Sequence, residues 1–237
     1  MLNGGKRRRG FTLMELLVTI VIIGILAALL LSTLSRAKQS VQQTTCLNNL
    51  HEINFATRMY AEDDGDKIAI PSAGPFARWP TCSVKEIVKS YANYKGKPSP
   101  SEKLFICPAD RFYYNGNVRR FDIGLHELEV TYYNSYGFDG GNSITNFGLS
   151  APGISGEKLS AVRMPAKTIL IVEESAFIPF SWHKPQKIAA NHLFLNSMNM
   201  LSFVDGHVSF TKMYSNGASE TWLYDPPESY DYKWSGD

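Results

Sequence analysis

The 237 residues contain no G-x-S-x-G nucleophile elbow, no phosphate-cradling glycine loop and no C-x-x-C pair. Those absences remove the sequence signals for an α/β-hydrolase, a P-loop nucleotide enzyme and a thiol-redox motif. Cysteine is scarce, at three residues, and Cys46, Cys82 and Cys107 lack the spacing of a zinc-binding set. Low-complexity tracts and internal repeats are missing too, so nothing points to a repeat architecture. Acidic residues are absent from the first 14 positions, and neither glycine nor proline occurs between Ser35 and Asp64. What stands at the start instead is the cation run Lys6-Arg7-Arg8-Arg9, followed by an almost unbroken apolar stretch to Leu31.

Phe11 to Leu31 gives 21 residues, enough as a helix to cross roughly 30 Å of hydrocarbon. The uncompensated cations ahead of it place the N-terminus in the cytoplasm and send the rest of the chain outward. A secretory signal peptide would carry a shorter apolar core with a small-residue cleavage site after it. Here the small residue at the charge-to-apolar boundary is Gly10, before the run, so a cut there leaves the hydrophobic helix on the product. The expected localisation is a single-pass inner-membrane protein with its C-terminal domain periplasmic or extracellular, anchored in the lipid bilayer.

Glu15 is a carboxylate near the start of that helix, where an ionised group facing lipid costs a few kcal/mol. It either sits at headgroup depth or has a partner. Gly10-Phe11-Thr12-Leu13-Met14-Glu15 resembles the cleavage and methylation motif of type IV prepilins and type II secretion pseudopilins. The resemblance implies a membrane-bound prepilin peptidase that cuts between Gly10 and Phe11 and methylates the new Phe11 amine. It also implies Glu15 as the assembly carboxylate. The physical logic is that a buried carboxylate seeks a cation, and the Phe11 amine of a neighbouring subunit supplies one inside a helical filament.

Loss of Lys6, Arg7, Arg8 and Arg9 with the leader takes the formal net charge from +2 to −2, so the basic precursor gives no support for nucleic-acid binding. An oxidising compartment favours one disulfide among Cys46, Cys82 and Cys107 with one thiol left over, and the sequence leaves the pairing open.

Past the span, Val41, Leu47, Leu50, Ile53, Met59 and Tyr60 recur at mostly helical spacing, which carries the first helix on to about Glu62. Gly65 suits a left-handed C-cap, and Pro71 blocks a restart. The expected organisation is a leader at 1–10, the transmembrane half of the N-terminal helix at 11–31, its amphipathic half at 32–64 and a globular head at 65–237. Cys46 to Leu50 and Met59 to Asp66 resemble the second half of this helix in a bacterial group of prepilin-type proteins and, more loosely, in major pseudopilins. A second helix is expected at Ser83–Tyr94, and extended segments joined by turns at Tyr113–Gly156. Thr168–Glu173 reads as a buried strand, and Met198–Val204 with His207–Thr211 as a hairpin closed by a two-residue Asp205-Gly206 turn. The fold class is α+β: a long N-terminal helix packed on a small antiparallel β-sheet, with the pilin-like arrangement that the resemblance implies.

Asn191-His192 ahead of Asp205-Gly206-His207 resembles a His-then-Asp-Gly tail in prepilin-type proteins of the planctomycete and verrucomicrobial kind, at longer spacing. A hydrolase or metal site drawn from His183, His192, Asp205, His207, Glu173 and Glu174 has suitable residue types but no motif spacing, and turn chemistry already explains Asp205. No enzyme and no catalytic residue is expected. Asp63-Asp64-Gly65-Asp66 does not fit an EF-hand loop and reads as a capped turn. Calcium is carried only by analogy with major pseudopilins, through Asp225, Glu228 and Asp231, against the simpler reading of a solvated tail whose aromatics pack on the head.

The expected function is a structural subunit of a type IV pilus-like filament or a type II secretion pseudopilus. The resemblance implies prepilin peptidase, other pilin or pseudopilin subunits and an inner-membrane assembly platform as partners. One alternative is a minor pilin whose head binds a surface, polysaccharide or DNA, with Trp79, Trp182 or Trp222 as stacking platforms. Another is an anchored ectodomain that never polymerises.

Overall fold

The computed structural model describes residues 11–71, 80–111, 113–115, 118–120, 123–143, 151–177, 180–184, 197–217 and 221–237. It divides into two compact units, the first ending at Val41 and the second running from Gln42 to Asp237. Helix α1, Leu13–Asp63, begins in one and ends in the other. In the first unit it is exposed all round, with Leu13, Ile23 and Leu31 each more than half accessible. Its hydroxyls are satisfied within the helix: Thr19 donates to the Leu16 carbonyl at 2.7 Å, and Thr33 to that of Leu30 at 2.8 Å. An apolar surface with internally paired polar groups suits hydrocarbon, and α1 is long and apolar enough to cross a membrane.

In the second unit the helix acquires a buried stripe of Cys46, Leu50, Ile53, Asn54, Thr57 and Ala61, the helical periodicity of an amphipathic face. Two stations fasten it. Gln42 Nε2 donates to the Pro108 carbonyl at 2.8 Å, Asn49 Nδ2 to the Ile106 carbonyl at 3.0 Å, and Cys46 is disulfide-bonded to Cys107 between them. Further along, Asn54 Nδ2 donates to Ser202 Oγ and the Phe203 carbonyl at 2.7 Å each, and Arg58 to the Val204 carbonyl at 2.7 Å. The helix ends on Gly65 and Asp66 at φ 68° and 70°, with the Asp66 amide donating to the Ala61 carbonyl at 2.6 Å, the long bond of a Schellman cap. The amide and hydroxyl of Ser160 both donate to Asp66 Oδ2, so this carboxylate fixes a chain crossing.

Helix α2 is Pro80–Val88, earlier at both ends than its periodicity predicts. Pro80 suits a first helical turn because it has no amide hydrogen to satisfy. After Val88 the winding tightens to i→i−3 bonds, Tyr91 to Val88 and Asn93 to Ser90, and closes on Asn93 at φ 63°. Tyr113–Gly156, expected as extended segments joined by turns, has only short extended segments among its described residues. It holds three-residue strands β1 (Tyr113–Asn115), β2 (Val118–Arg120) and β3 (Tyr136–Phe138), with 3-10 turns at Leu125–Glu127, Glu129–Thr131 and Gly141–Ser143. Asp110 accounts for part of this, because its carboxylate accepts the Leu125 and His126 amides at 3.0 Å each and the Ser135 hydroxyl at 2.8 Å, pinning a turn where a strand would run.

Strands β4 (Ile169–Glu173), β5 (Met198–Phe203) and β6 (Val208–Lys212) follow β3 in a four-stranded antiparallel sheet of order β3-β4-β5-β6. A bulge between Ile169 and Ile171 sets Leu170 and Ile171 in one core, while Ile169 and Val172 enter the other. The first core holds Cys46, Leu50 and Ile53 of α1 with Phe105, Tyr136 and Met200; the second is covered by Met213, Tyr232 and Trp234. The β5–β6 connection corrects the two-residue turn expected from Asp205-Gly206. Phe203 and His207 are still bonded, amide to carbonyl at 3.0 Å, and the Gly206 amide donates to the Phe203 carbonyl at 2.9 Å. The loop is therefore Val204-Asp205-Gly206, a turn closed by Gly206 alone at φ 99°, the pattern in which one left-handed glycine completes a three-residue hairpin.

Lys85 is fully buried on α2, paired with Glu102 Oε2 at 2.5 Å and donating to the Tyr132 carbonyl at 2.5 Å. Lys89 reaches the same carboxylate at 3.3 Å. Glu102→Ala strands a buried ammonium and is expected to lower the unfolding free energy by roughly 3–5 kcal/mol in urea titration. A loss below about 1 kcal/mol would class the pair with solvent-exposed ones. His126 Nδ1 lies 3.0 Å from Asp110 Oδ2. That hydrogen bond holds the imidazole above its ordinary 6.5, against partial desolvation. Because the folded pKa is the higher one, the stabilisation is complete below 6.5 and fades as pH rises through the folded value. The Tm gap between the parent and His126→Gln is therefore expected to be widest in acid and to narrow as pH rises; a gap that widens with pH would contradict the assignment.

Candidate functional site

The N-terminus of α1 is built by a reciprocal capping box. The Glu15 amide donates to Thr12 Oγ1 at 3.2 Å, while the Thr12 amide and hydroxyl donate to Glu15 Oε2 at 2.9 and 2.8 Å. A T-x-x-E sequence at residues 12–15 is the signature of this box, in which the carboxylate and the Thr12 hydroxyl each satisfy one amide that hydrocarbon could not. Reading Glu15 only as a membrane carboxylate overlooks this local role, although the spacing carries it. Phe11 is exposed beside it, and Gly10 lies outside the described residues.

A second constellation lies in the core. Cys46 on α1 and Cys107 on the loop after Phe105 form the disulfide, with a Cα–Cα distance of 5.4 Å, and Cys82 is the remaining, buried thiol. Burial pushes the Cys82 thiol well up, reinforced by the Glu174 carboxylate beside it. Against the disulfide sit Glu173, at the end of β4, and His183. The His183 Nε2–H donates to Glu173 Oε1 at 2.7 Å, and Cys107 Sγ stands 3.3 Å from that oxygen and 3.4 Å from the nitrogen. The Met200 amide donates to Glu173 Oε2 at 3.1 Å. Among the described residues, Cys46, Cys107, Glu173 and His183 are the one set of His, Cys, Asp or Glu residues whose donor atoms all fall within 4.8 Å of one another.

The other residues singled out from the sequence separate. Asp205 pairs with His207 at the β5–β6 turn, Oδ1 to Nδ1 at 2.6 Å, in an exposed position, while His192 lies outside the described residues. Glu174 accepts from the Thr81 hydroxyl at 3.4 Å. Asp225 accepts the Trp234 and Ser235 amides at 2.6 and 3.0 Å, anchoring the tail whose Tyr232 and Trp234 are buried, and Glu228 and Asp231 are exposed. Trp182 is buried, edge-on to Phe180, Trp222 is half-buried against the second core, and Trp79 lies outside the described residues.

Residues 5–31 match the family described as the prokaryotic N-terminal methylation motif. Two relatives are type II secretion system core protein G of Klebsiella pneumoniae, 34% identical over 83 residues, and that of Pectobacterium carotovorum subsp. carotovorum, 37% identical over 62 residues. The first match covers 31% of this chain and 59% of the relative, the second 26% and 40%, so the chain spans less than two thirds of either relative. No solved structure matches. The methylation motif and the likeness to type II secretion core protein G, together with a long N-terminal helix that is apolar in the first unit and packs on a small antiparallel sheet in the second, support assignment of the chain to the prepilin and pseudopilin family.

Proposed function

We propose that this chain is a structural subunit of a type II secretion pseudopilus or a type IV pilus-like filament, anchored in the inner membrane before assembly. A prepilin peptidase cuts between Gly10 and Phe11 and methylates Phe11, and the subunits then polymerise through α1. The observation that carries the reading is the methylation motif at the head of a 51-residue helix that is apolar all round at its start and amphipathic further on. Other pilin or pseudopilin subunits and an inner-membrane platform are the partners, and the role is structural rather than catalytic. The type II secretion relatives favour the pseudopilus of the two filaments. A head that binds sugars or bases by stacking has less support, because Trp182 is buried.

Glu15 has two tasks in this reading. Within one chain it caps α1 through Thr12, and between chains it pairs with the Phe11 amine of a neighbour. Thr12→Ala removes most of the cap and keeps the charge, at a cost of about 1 kcal/mol to helix stability. Glu15→Ala removes both. The expected outcome is near-normal filament incorporation for Thr12→Ala and severe loss for Glu15→Ala, with membrane insertion unchanged in both, measured by immunoblotting sheared filament and membrane fractions. Equal loss in the two variants would reduce Glu15 to a helix cap.

A further inference from the structure

We propose that Cys46, Cys107, Glu173 and His183 bind one divalent cation of the zinc class when the Cys46–Cys107 pair is reduced, so that the disulfide and the metal are exclusive occupants of one buried site. The inference stands apart from the filament reading, since all four residues belong to the second unit and none lies in the methylation motif.

The geometry favours it. The donor atoms lie within 4.8 Å of one another, and all four residues are buried. Zinc bonds of about 2.0 Å to nitrogen and oxygen and 2.3 Å to sulfur set tetrahedral donors roughly 3.3–3.8 Å apart. The 3.3 and 3.4 Å separations from Cys107 Sγ to Glu173 and His183 already match, and the 2.7 Å Glu173–His183 contact opens as the metal replaces the shared proton. Cys46, Glu173 and Cys107 stand on a long helix, a central strand and a loop tied to that helix, which limits their drift, and His183 follows Trp182, which is buried edge-on to Phe180. The Met200 amide holds Glu173 Oε2 and leaves Oε1 facing the cluster, as an outer-shell partner of a metal ligand does.

The chemistry favours it as well. Disulfide sulfurs carry neither a proton nor a charge, so the disulfide gives Glu173 and His183 no partner of its own. Burying a carboxylate and an imidazole beside it costs desolvation that the cystine does not return. Two thiolates, an imidazole and one carboxylate suit zinc rather than calcium or magnesium, which take oxygen ligands. A dithiol reductant delivers two electrons and two protons to the S–S bond and is oxidised to its own disulfide. Each cysteine then gives up its proton on binding the metal, and the His183 proton moves from Nε2 to Nδ1.

The test uses the full chain in detergent. A phosphine reduces the disulfide anaerobically, taking oxygen from water to become its oxide while Cys46 and Cys107 gain a proton each. After desalting, the chain is titrated with cobalt(II). The expected result is one cobalt per chain, with the intense visible bands of a tetrahedral site and a sulfur-to-cobalt charge-transfer band, both abolished by zinc. The oxidised chain, Cys46→Ser and Cys107→Ser are expected to give neither band, and Cys82→Ala to give both. Glu173→Gln and His183→Gln are expected to weaken uptake at least about tenfold. The proposal is overturned if the reduced chain gives no such bands, whether its thiols fail to ligate or reduction unfolds it. It is overturned equally if Glu173→Gln and His183→Gln bind as tightly as the parent. Failure here leaves the Thr12 and Glu15 comparison intact.

Discussion

The layout of the second unit depends on one buried amide. Asn54 lies on the buried face of α1, and a polar group there is tolerated only if it finds partners. It finds two on β5, Ser202 Oγ and the Phe203 carbonyl, which fixes the register of helix against strand as a purely apolar contact could not. Arg58 repeats the device one turn further on at Val204, where β5 ends. Because β5 lies between β4 and β6, fixing it places the sheet and its hairpin, and the loop at Ile106–Pro108 is held by Asn49 and Gln42 on the same helix.

The sheet has two apolar faces and α1 covers one. The other is closed by the end of the chain rather than by a second helix. Trp234 and Tyr232 are buried in the second core, and Asp225 folds the tail back by accepting the Trp234 and Ser235 amides. The Lys233 amide and carbonyl bond to Lys167 and Ile169, which docks the tail beside the start of β4. An acidic, aromatic tail is thus a packing element whose carboxylate organises backbone. This explains why Asp225, chosen by analogy as a calcium ligand, already has partners within the chain.

The elements most legible in the sequence are those whose signal is local and long. The lack of glycine and proline from Ser35 to Asp64 announces α1, and the β-branched run Thr168–Glu173 announces β4. Local signals fail where tertiary partners decide the backbone. Asp110 turns Leu125–Glu127 into a 3-10 turn, and the bond between Phe203 and His207 makes the hairpin loop one residue longer than Asp205-Gly206 announces. The buried cluster was beyond reach of spacing rules, because Cys46 and Cys107 lie 61 residues apart, Glu173 is brought to them by the sheet and His183 joins through Glu173. The capping role of Glu15 was within reach, because residues 12–15 spell the T-x-x-E order of a capping box.

The most direct measurement is cryo-electron microscopy of filaments sheared from cells that produce this chain. The account predicts a helical core of α1 segments in which each chain begins at a methylated Phe11 and its amine lies within ion-pair distance, roughly 4 Å, of Glu15 on an adjacent subunit. Recovery of the chain only as cleaved monomers, or filaments in which Glu15 stays on its own Thr12 with no neighbouring amine nearby, would contradict it.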